Sequence, residues 1–83
     1  MTLTNVPAPV GVWTQVYDGT AEANIAISGT EAYICQSTAA PDDDLIGLPF
    51  VGGSVTQYVY HATTGSPVFV KPLNADAIII VNA

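Results

Sequence analysis

The chain has 83 residues, of which 7 are acidic and 1 is a lysine, so its formal net charge is −6 at pH 7. A protein with one cation cannot neutralise a row of phosphates, which excludes nucleic acid and anionic membrane as expected partners. A single cysteine and a single histidine exclude an intrachain disulfide and a structural zinc site.

The chain is small enough for its stability as a free monomer to be marginal. A domain of this size buries only about 60% of its unfolded surface. Without a disulfide or a metal, self-association or docking on a larger surface is expected to supply further stability. Hydrophobic residues make up 49% of the chain and charged residues 10%, which favours an extracellular or particle-bound protein. No stretch is long enough to span a bilayer, and the first residues lack the features of a signal peptide, so we expect synthesis in the cytoplasm.

Residues 1–11 are predicted to form an extended arm, and residues 12–83 a single β domain. Pro7 and Pro9 alternate with small residues in the arm and disfavour a helix. Such an arm is either a frayed terminus or a segment that reaches a neighbouring subunit.

Three segments follow that read as short strands, at residues 12–17, 23–28 and 31–36. Alternate residues share a face in each of them, such as Val12 and Val16, Ile25 and Ile27, or Ala32 and Ile34. Asp18-Gly19 is a strong hairpin signal and Ser28-Gly29-Thr30 is a second turn, so these strands are predicted to form an antiparallel meander.

Residues 37–44 are predicted to form an exposed loop because they contain a proline and three successive aspartates. Within the loop, Asp42 and Asp44 are weak candidates for a cation site. With a backbone carbonyl they offer three of the about six to eight oxygens that calcium requires. The alternative is a solvated loop that binds nothing.

The second half of the chain has further strand patterns. After an apolar segment at 45–51, which predicts an edge strand or an irregular segment, residues 55–62 alternate cleanly, with Tyr58 and Tyr60 on one face. A hairpin through 63–66 is expected to lead into the strand at 67–71.

The last strand, at residues 77–81, has no polar face and is therefore predicted to be covered on both sides. It lies either at the centre of a small sandwich or against another copy of the protein. Seven short strands without a helix predict an all-β fold, a small antiparallel β-sandwich or barrel with an extended N-terminal arm.

No group of residues in the sequence matches a recognisable catalytic motif. His61 has no serine or aspartate partner at a recognisable spacing and is predicted to pack beside tyrosines, and Cys35 is predicted to be a buried thiol. We therefore expect no catalytic residue and no cofactor. The aromatic residues are expected to belong to the core, to a protein interface or to a sugar-binding platform; they are Trp13, Tyr17, Tyr33, Tyr58 and Tyr60.

With this strand order, the chain resembles a class of very small all-β virion proteins of tailed bacteriophages. The resemblance covers most of the chain as pattern and composition. The segments that carry it are Val12-Trp13-Thr14-Gln15-Val16, Ser37-Thr38-Ala39-Ala40-Pro41-Asp42, the glycine-flanked stretch 47–53, Val59-Tyr60 and Ile78-Ile79-Ile80-Val81.

The resemblance implies a structural, non-enzymatic role in the virion, as a capsid decoration or cement protein or as the base of a head fibre. It implies a homo-oligomer, with a trimer as the expected form, bound to the major capsid protein or to another virion protein. The residues expected at these interfaces are Val6, Pro7, Pro9, Trp13, Tyr58 and Tyr60. The alternative function is a carbohydrate- or receptor-binding module of a tail tip or fibre.

Overall fold

Two antiparallel sheets pack face to face in the computed structural model, which describes residues 2–42, 47–51 and 59–83. No helix occurs within these ranges. The strands are β1 (Leu3–Ala8), β2 (Thr14–Tyr17), β3 (Ala23–Ser28), β4 (Glu31–Gln36), β5 (Leu48–Val51), β6 (Val59–Ala62), β7 (Val68–Pro72) and β8 (Ala77–Asn82). The all-β antiparallel sandwich predicted from the sequence is confirmed. The strand in addition to the seven predicted is β1.

The strand order identifies the fold. The order is β1-β8-β3-β6 in the first sheet, sheet A, and β2-β7-β4-β5 in the second, sheet B. Strands β1 and β8, β2 and β7, β3 and β6, and β4 and β5 are therefore neighbours, as in a long antiparallel ribbon folded over on itself. Two four-stranded sheets connected in this way form a jelly roll.

The predicted meander is wrong, because β3 pairs with β6 and β8 rather than with β2 or β4. The predicted hairpin through 63–66 is also wrong, since β6 belongs to sheet A and β7 to sheet B. In both places the turn residues form corners that carry the chain from one sheet to the other. Turn chemistry specifies a reversal of the chain, whereas long-range packing decides which strands pair.

The N-terminal segment is extended, as predicted, and forms an edge strand of sheet A. Its register places Val6 beside Ile79 and Ala8 beside Ala77. The amides of Thr2 and Ala83 donate to each other's carbonyl oxygens, at 2.6 and 3.1 Å. Hydrogen-bonded pairs alternate along an antiparallel ladder, so the backbone nitrogen of Pro7 falls on the outer edge and its missing N–H removes no bond to β8.

Two corners of the sandwich meet through backbone groups at Gly19. The amide of Gly65 donates to the carbonyl of Gly19 at 3.0 Å. Gly19 has a φ of 78°, and a Cβ at this position would lie 2.6 Å from the carbonyl carbon of Ser66. Glycine is required here for both its conformation and its lack of a side chain.

The core lies between the sheets and is built from alternate residues of the strands. Sheet A contributes Ile25 and Ile79, and sheet B contributes Ile34, Val68 and Val70, all with no exposed surface. The alternation predicted for the strands at 23–28, 31–36 and 67–71 is thereby confirmed. The small residues Ala23, Ala32, Ala62 and Ala77 are also buried in the core.

Candidate interaction surface

The two faces of β8 differ in exposure. Ala77, Ile79 and Val81 point into the core, whereas Ile78 is 45% exposed and Ile80 is half-buried on the opposite face. The prediction that this strand is covered on both sides is therefore wrong for the single chain. The strand lies between β1 and β3 within sheet A, and the sandwich covers only one of its faces.

The apolar surface continues onto the neighbouring strands. The register places Pro7 beside Ile78, and Ala26 between Ile80 and Val59. Val59 is 54% exposed and Leu3, at the end of β1, is 66% exposed. The side chains that form the outer face of sheet A are Leu3, Asn5, Pro7, Asn24, Ala26, Ser28, Val59, His61, Ile78, Ile80 and Asn82.

The outer face of sheet A differs in charge from the outer face of sheet B. Among the described residues of β1, β3, β6 and β8, none that points outward is an aspartate, glutamate, lysine or arginine. The outer face of sheet B, in contrast, carries Glu31 and Lys71. Isolated exposed apolar residues are ordinary, but a contiguous uncharged apolar surface is typical of an interaction site.

The outer face of sheet B also holds the cysteine. Cys35 is half-buried beside Phe69, which is only 6% exposed although it points away from the central core. Burial raises the pKa of the Cys35 thiol. A thiol whose pKa is raised stays protonated near neutral pH and is a poor nucleophile.

His61 lies at the margin of the outer face of sheet A. Its Nδ1 lies 3.0 Å from Oδ1 of Asn24, and its Nε2 lies 3.9 Å from Oε2 of Glu22. The side chain is 60% exposed and points away from the side of β6 on which Tyr60 lies. The prediction that His61 packs beside tyrosines is therefore wrong. These polar groups form a hydrogen-bonding rim to the apolar surface.

A cleft of about 380 Å³ opens at one end of this face. Pro7, Pro9 and Ile78 line its apolar wall, and Asp76 lies beside them. Oδ1 of Asp76 accepts a hydrogen bond from the amide of Val10 at 2.8 Å, so this carboxylate is used to hold the corner between β1 and β2. The cleft extends the outer face of sheet A towards that corner.

Trp13 has an intramolecular role in this structure. Its Nε1 donates to the carbonyl oxygen of Asp42 at 3.1 Å. Its ring lies close to Gly47, where a Cβ would come within 3.0 Å of Cη2. The indole thus contacts both Asp42 and Gly47.

Of the two candidate cation ligands, the structure describes only one. Asp42 is exposed, and Asp44 lies outside the described residues. Within the described ranges no three histidine, cysteine, aspartate or glutamate side chains form a group that could hold a metal.

The remaining predicted interface residues divide into two groups. Val6 and Tyr60 point inward and pack against the core, whereas Pro7 and Pro9 are exposed and line the cleft. Tyr58 lies outside the described residues. Burial raises the pKa of Tyr60, and the nearby Cys35 contributes in the same direction.

Ile78, Val59 and Leu3 are exposed residues that the sequence pattern did not predict to lie on the surface. The sequence around Ile78 does contain a relevant signal. A strand that is apolar on both faces has more apolar surface than the single core of a small domain can bury. Nothing in the local pattern distinguishes Val59, whose exposure depends on β6 being an edge strand of sheet A.

Comparisons with protein-family models, with curated proteins and with solved structures found no match. The described residues include no helix long and apolar enough to cross a membrane. The fold and the surface define the molecule as a small jelly-roll sandwich. Of the eleven described side chains on the outer face of sheet A, six are apolar and none is an aspartate, glutamate, lysine or arginine.

Proposed function

We propose that the chain is a non-enzymatic structural protein of a bacteriophage virion, bound to the particle as a decoration or cement protein or as a head-fibre base. The observation that carries this proposal is the outer face of sheet A. A chain with a net charge of −6 exposes Ile78, Val59 and Leu3 there without any carboxylate among them. Such a surface suits a permanent contact with protein better than contact with water.

The fold supports the proposal by analogy. Jelly rolls occur in viral capsid proteins and in lectins, among other proteins. A fold alone does not define a function, so the jelly roll supports the proposal only together with the outer face of sheet A. The resemblance of the segments around Trp13 and Ile79 to small virion proteins points in the same direction.

The proposal is tested by locating the protein in phage particles. An antiserum against the purified chain is used to probe density-gradient fractions of phage from the source culture, followed by gold labelling in the electron microscope. The chain is expected to sediment with intact particles and to be labelled at regular positions on the head. Detection of the chain only in the unsedimented fraction would overturn the proposal.

A second test asks whether the chain binds the particle through the outer face of sheet A. Purified chain is added to particles grown without its gene, and the bound amount is measured after sedimentation. Val59→Glu is compared with Val12→Glu, because both valines are about half exposed, at 54% and 51%, and only Val59 lies on the outer face of sheet A. Binding is expected to fall with Val59→Glu and to remain with Val12→Glu.

The second candidate function is binding of a carbohydrate or receptor at a tail tip or fibre. The observation in its favour is Tyr33, which lies beside Lys71 on the outer face of sheet B. An aromatic ring next to a hydrogen-bond donor is a common platform for a sugar. Binding of the chain to immobilised host-surface glycans, lost in Tyr33→Ala, would favour this function over the structural one.

A further inference from the structure

We propose that the cleft at the end of the outer face of sheet A binds an arginine side chain of the protein on which the chain docks. This inference deepens the proposed structural role and rests on it, since it names the chemical group that the partner supplies. The cleft has a volume of about 380 Å³ and combines an apolar wall of Pro7, Pro9 and Ile78 with the carboxylate of Asp76. A side chain with a long apolar stem and a cationic head matches both parts.

The carboxylate of Asp76 is held in one orientation. Its Oδ1 accepts a hydrogen bond from the amide of Val10 at 2.8 Å, across the corner between β1 and β2. The side chain is exposed, and no group among the described residues donates a hydrogen bond to its Oδ2. One oxygen therefore orients the carboxylate while the other remains available to a donor on the partner. A group oriented in this way loses less conformational freedom on binding than a mobile one.

The backbone that lines the cleft has few donors to offer a ligand. Pro7 and Pro9 have no N–H group. Ala8 and Ala77 lie opposite each other in the ladder between β1 and β8. Hydrogen-bonded pairs alternate along this ladder from the pair at its far end, so the amides of these two alanines bond to each other's strand. A guanidinium group carries five N–H donors and no acceptor, which complements a cleft that offers a carboxylate oxygen.

The charge of the chain favours a cation from another protein. A net charge of −6 attracts basic groups and repels acidic ones. The chain contains no arginine, and its one lysine, Lys71, lies on the outer face of sheet B. A second copy of the chain therefore cannot supply the arginine, and the partner is a different protein.

The apolar wall favours arginine over lysine. Two proline rings and Ile78, which is 45% exposed, form this wall. A guanidinium is planar and weakly hydrated, so it lies against apolar surface more readily than the strongly hydrated ammonium of lysine. A single solvent-accessible ion pair contributes little affinity. The arginine is therefore expected to fix the orientation of the chain on its partner, while the apolar outer face of sheet A supplies most of the binding.

The test is a nuclear magnetic resonance titration of the ¹⁵N-labelled intact chain with N-acetylarginine methylamide, compared with the neutral N-acetylcitrulline methylamide. The arginine probe is expected to shift the amide signals of Ala8, Asp76 and Ala77, with a dissociation constant in about the millimolar range. The citrulline probe has nearly the same shape without the charge and is expected to bind at least about threefold more weakly.

A pair of variants locates the charge that is responsible. Asp76→Asn keeps an oxygen that accepts from Val10 and removes the charge, so it is expected to weaken the arginine probe about three- to fivefold. Asp18→Asn is the matched control, because Oδ1 of Asp18 also accepts from a backbone amide, that of Thr20, at another corner. It lowers the net charge equally and is expected to bind the probe within about twofold of the wild type.

Four results would overturn the inference. They are equal binding of the arginine and citrulline probes, no shift at the cleft, tighter binding of N-acetyllysine methylamide, and equal weakening by Asp18→Asn and Asp76→Asn. The comparison of probes uses the wild type, so it is decisive even where circular dichroism shows that a variant is unfolded.

Particle binding separates this result from the proposed function. Asp76→Asn is expected to bind particles about three- to fivefold more weakly than Asp18→Asn does, and equal binding of the two would overturn the assignment of the arginine to the partner. A chain that binds the arginine probe but never binds particles would overturn the virion role alone. A chain that binds particles but not the probe would overturn the arginine site alone.

Discussion

The phenol of Tyr60 donates a hydrogen bond to Oε1 of Gln36 at 2.8 Å, which joins β6 of sheet A to β4 of sheet B. The same Gln36 side chain binds the corner between β6 and β7. Its Nε2 donates to the carbonyls of Thr63 and Ser66, at 2.9 and 3.2 Å, and its Oε1 accepts from the amide of Thr63 at 3.3 Å. One amide side chain therefore holds together both sheets and a corner.

Tyr60→Phe is expected to lower the free energy of unfolding by about 0.5–1.5 kcal/mol, because it removes one hydrogen bond between partly buried groups. Gln36→Ala is expected to cost more, about 2–3 kcal/mol, since it leaves Tyr60 and the backbone of Thr63 and Ser66 without this partner. Urea unfolding of both single variants and the double variant measures the coupling. A coupling energy near zero would contradict a direct bond between Tyr60 and Gln36.

Gly19→Ala is expected to be strongly destabilising, by more than about 2 kcal/mol, because a Cβ would collide with the backbone of Ser66 at a positive φ. Gly11→Ala is the matched control. Its φ of 75° is close to the 78° of Gly19, and no atom lies within 4 Å of the added Cβ. It is expected to show only the cost of the backbone conformation, about 1–2 kcal/mol. Equal unfolding midpoints in urea for the two variants would show that the corners do not meet as described.

Ile79→Ala is expected to lower the free energy of unfolding by about 2–5 kcal/mol, because it leaves a cavity in the core. Ile78→Ala removes the same atoms from the next residue of the same strand, where the side chain is 45% exposed. Its cost is expected to stay below about 1 kcal/mol in dilute monomer. The comparison is made by urea unfolding at low concentration. A larger loss for Ile78→Ala than for Ile79→Ala would invert the assigned faces of β8.

Asp18 is expected to make stability depend on pH. Hydrogen bonds from the backbone and the side chain of Thr20 lower the pKa of the Asp18 carboxyl in the folded state. The resulting stabilisation is complete above the usual carboxyl pKa of about 3.8 and is lost as the pH falls from there through the lowered value. The wild type should be more stable than Asp18→Asn at pH 7, and this difference should shrink below pH ~4. Urea unfolding at several pH values measures it; a difference independent of pH would contradict the assignment.

Which residues share a face of a strand could be predicted from the sequence, whereas which face is the core face stayed open. The pairs Ile25 and Ile27, and Val68 and Val70, are buried as their alternation indicates. A strand has a period of two, so a local run of residues is enough to separate its faces. The pairing of strands could not be predicted in this way, because the jelly roll joins residues far apart in the chain, such as Val6 and Ile79.

The outer face of sheet A was likewise predictable from the sequence only in part. The apolar run around Ile79 predicted that both faces of the last strand are covered, either at the centre of a small sandwich or barrel or by another copy of the protein. The location of the uncovered face depended on Pro7, Ala26 and Val59 being brought beside β8 by strands β1, β3 and β6.

The sequence by itself determined an all-β chain, which residues of a strand share a face, and its poverty in cations. These properties follow from the two-residue period of a strand, from turn residues and from composition. None of them depends on which strands pair. Only the tertiary structure decided that Asp18-Gly19 is a corner rather than a hairpin, that the N-terminal arm is strand β1, and that Ile78 lies on an open face. Each of these depends on which sheet a strand joins, and that choice is made by burial of the whole core rather than by any segment alone.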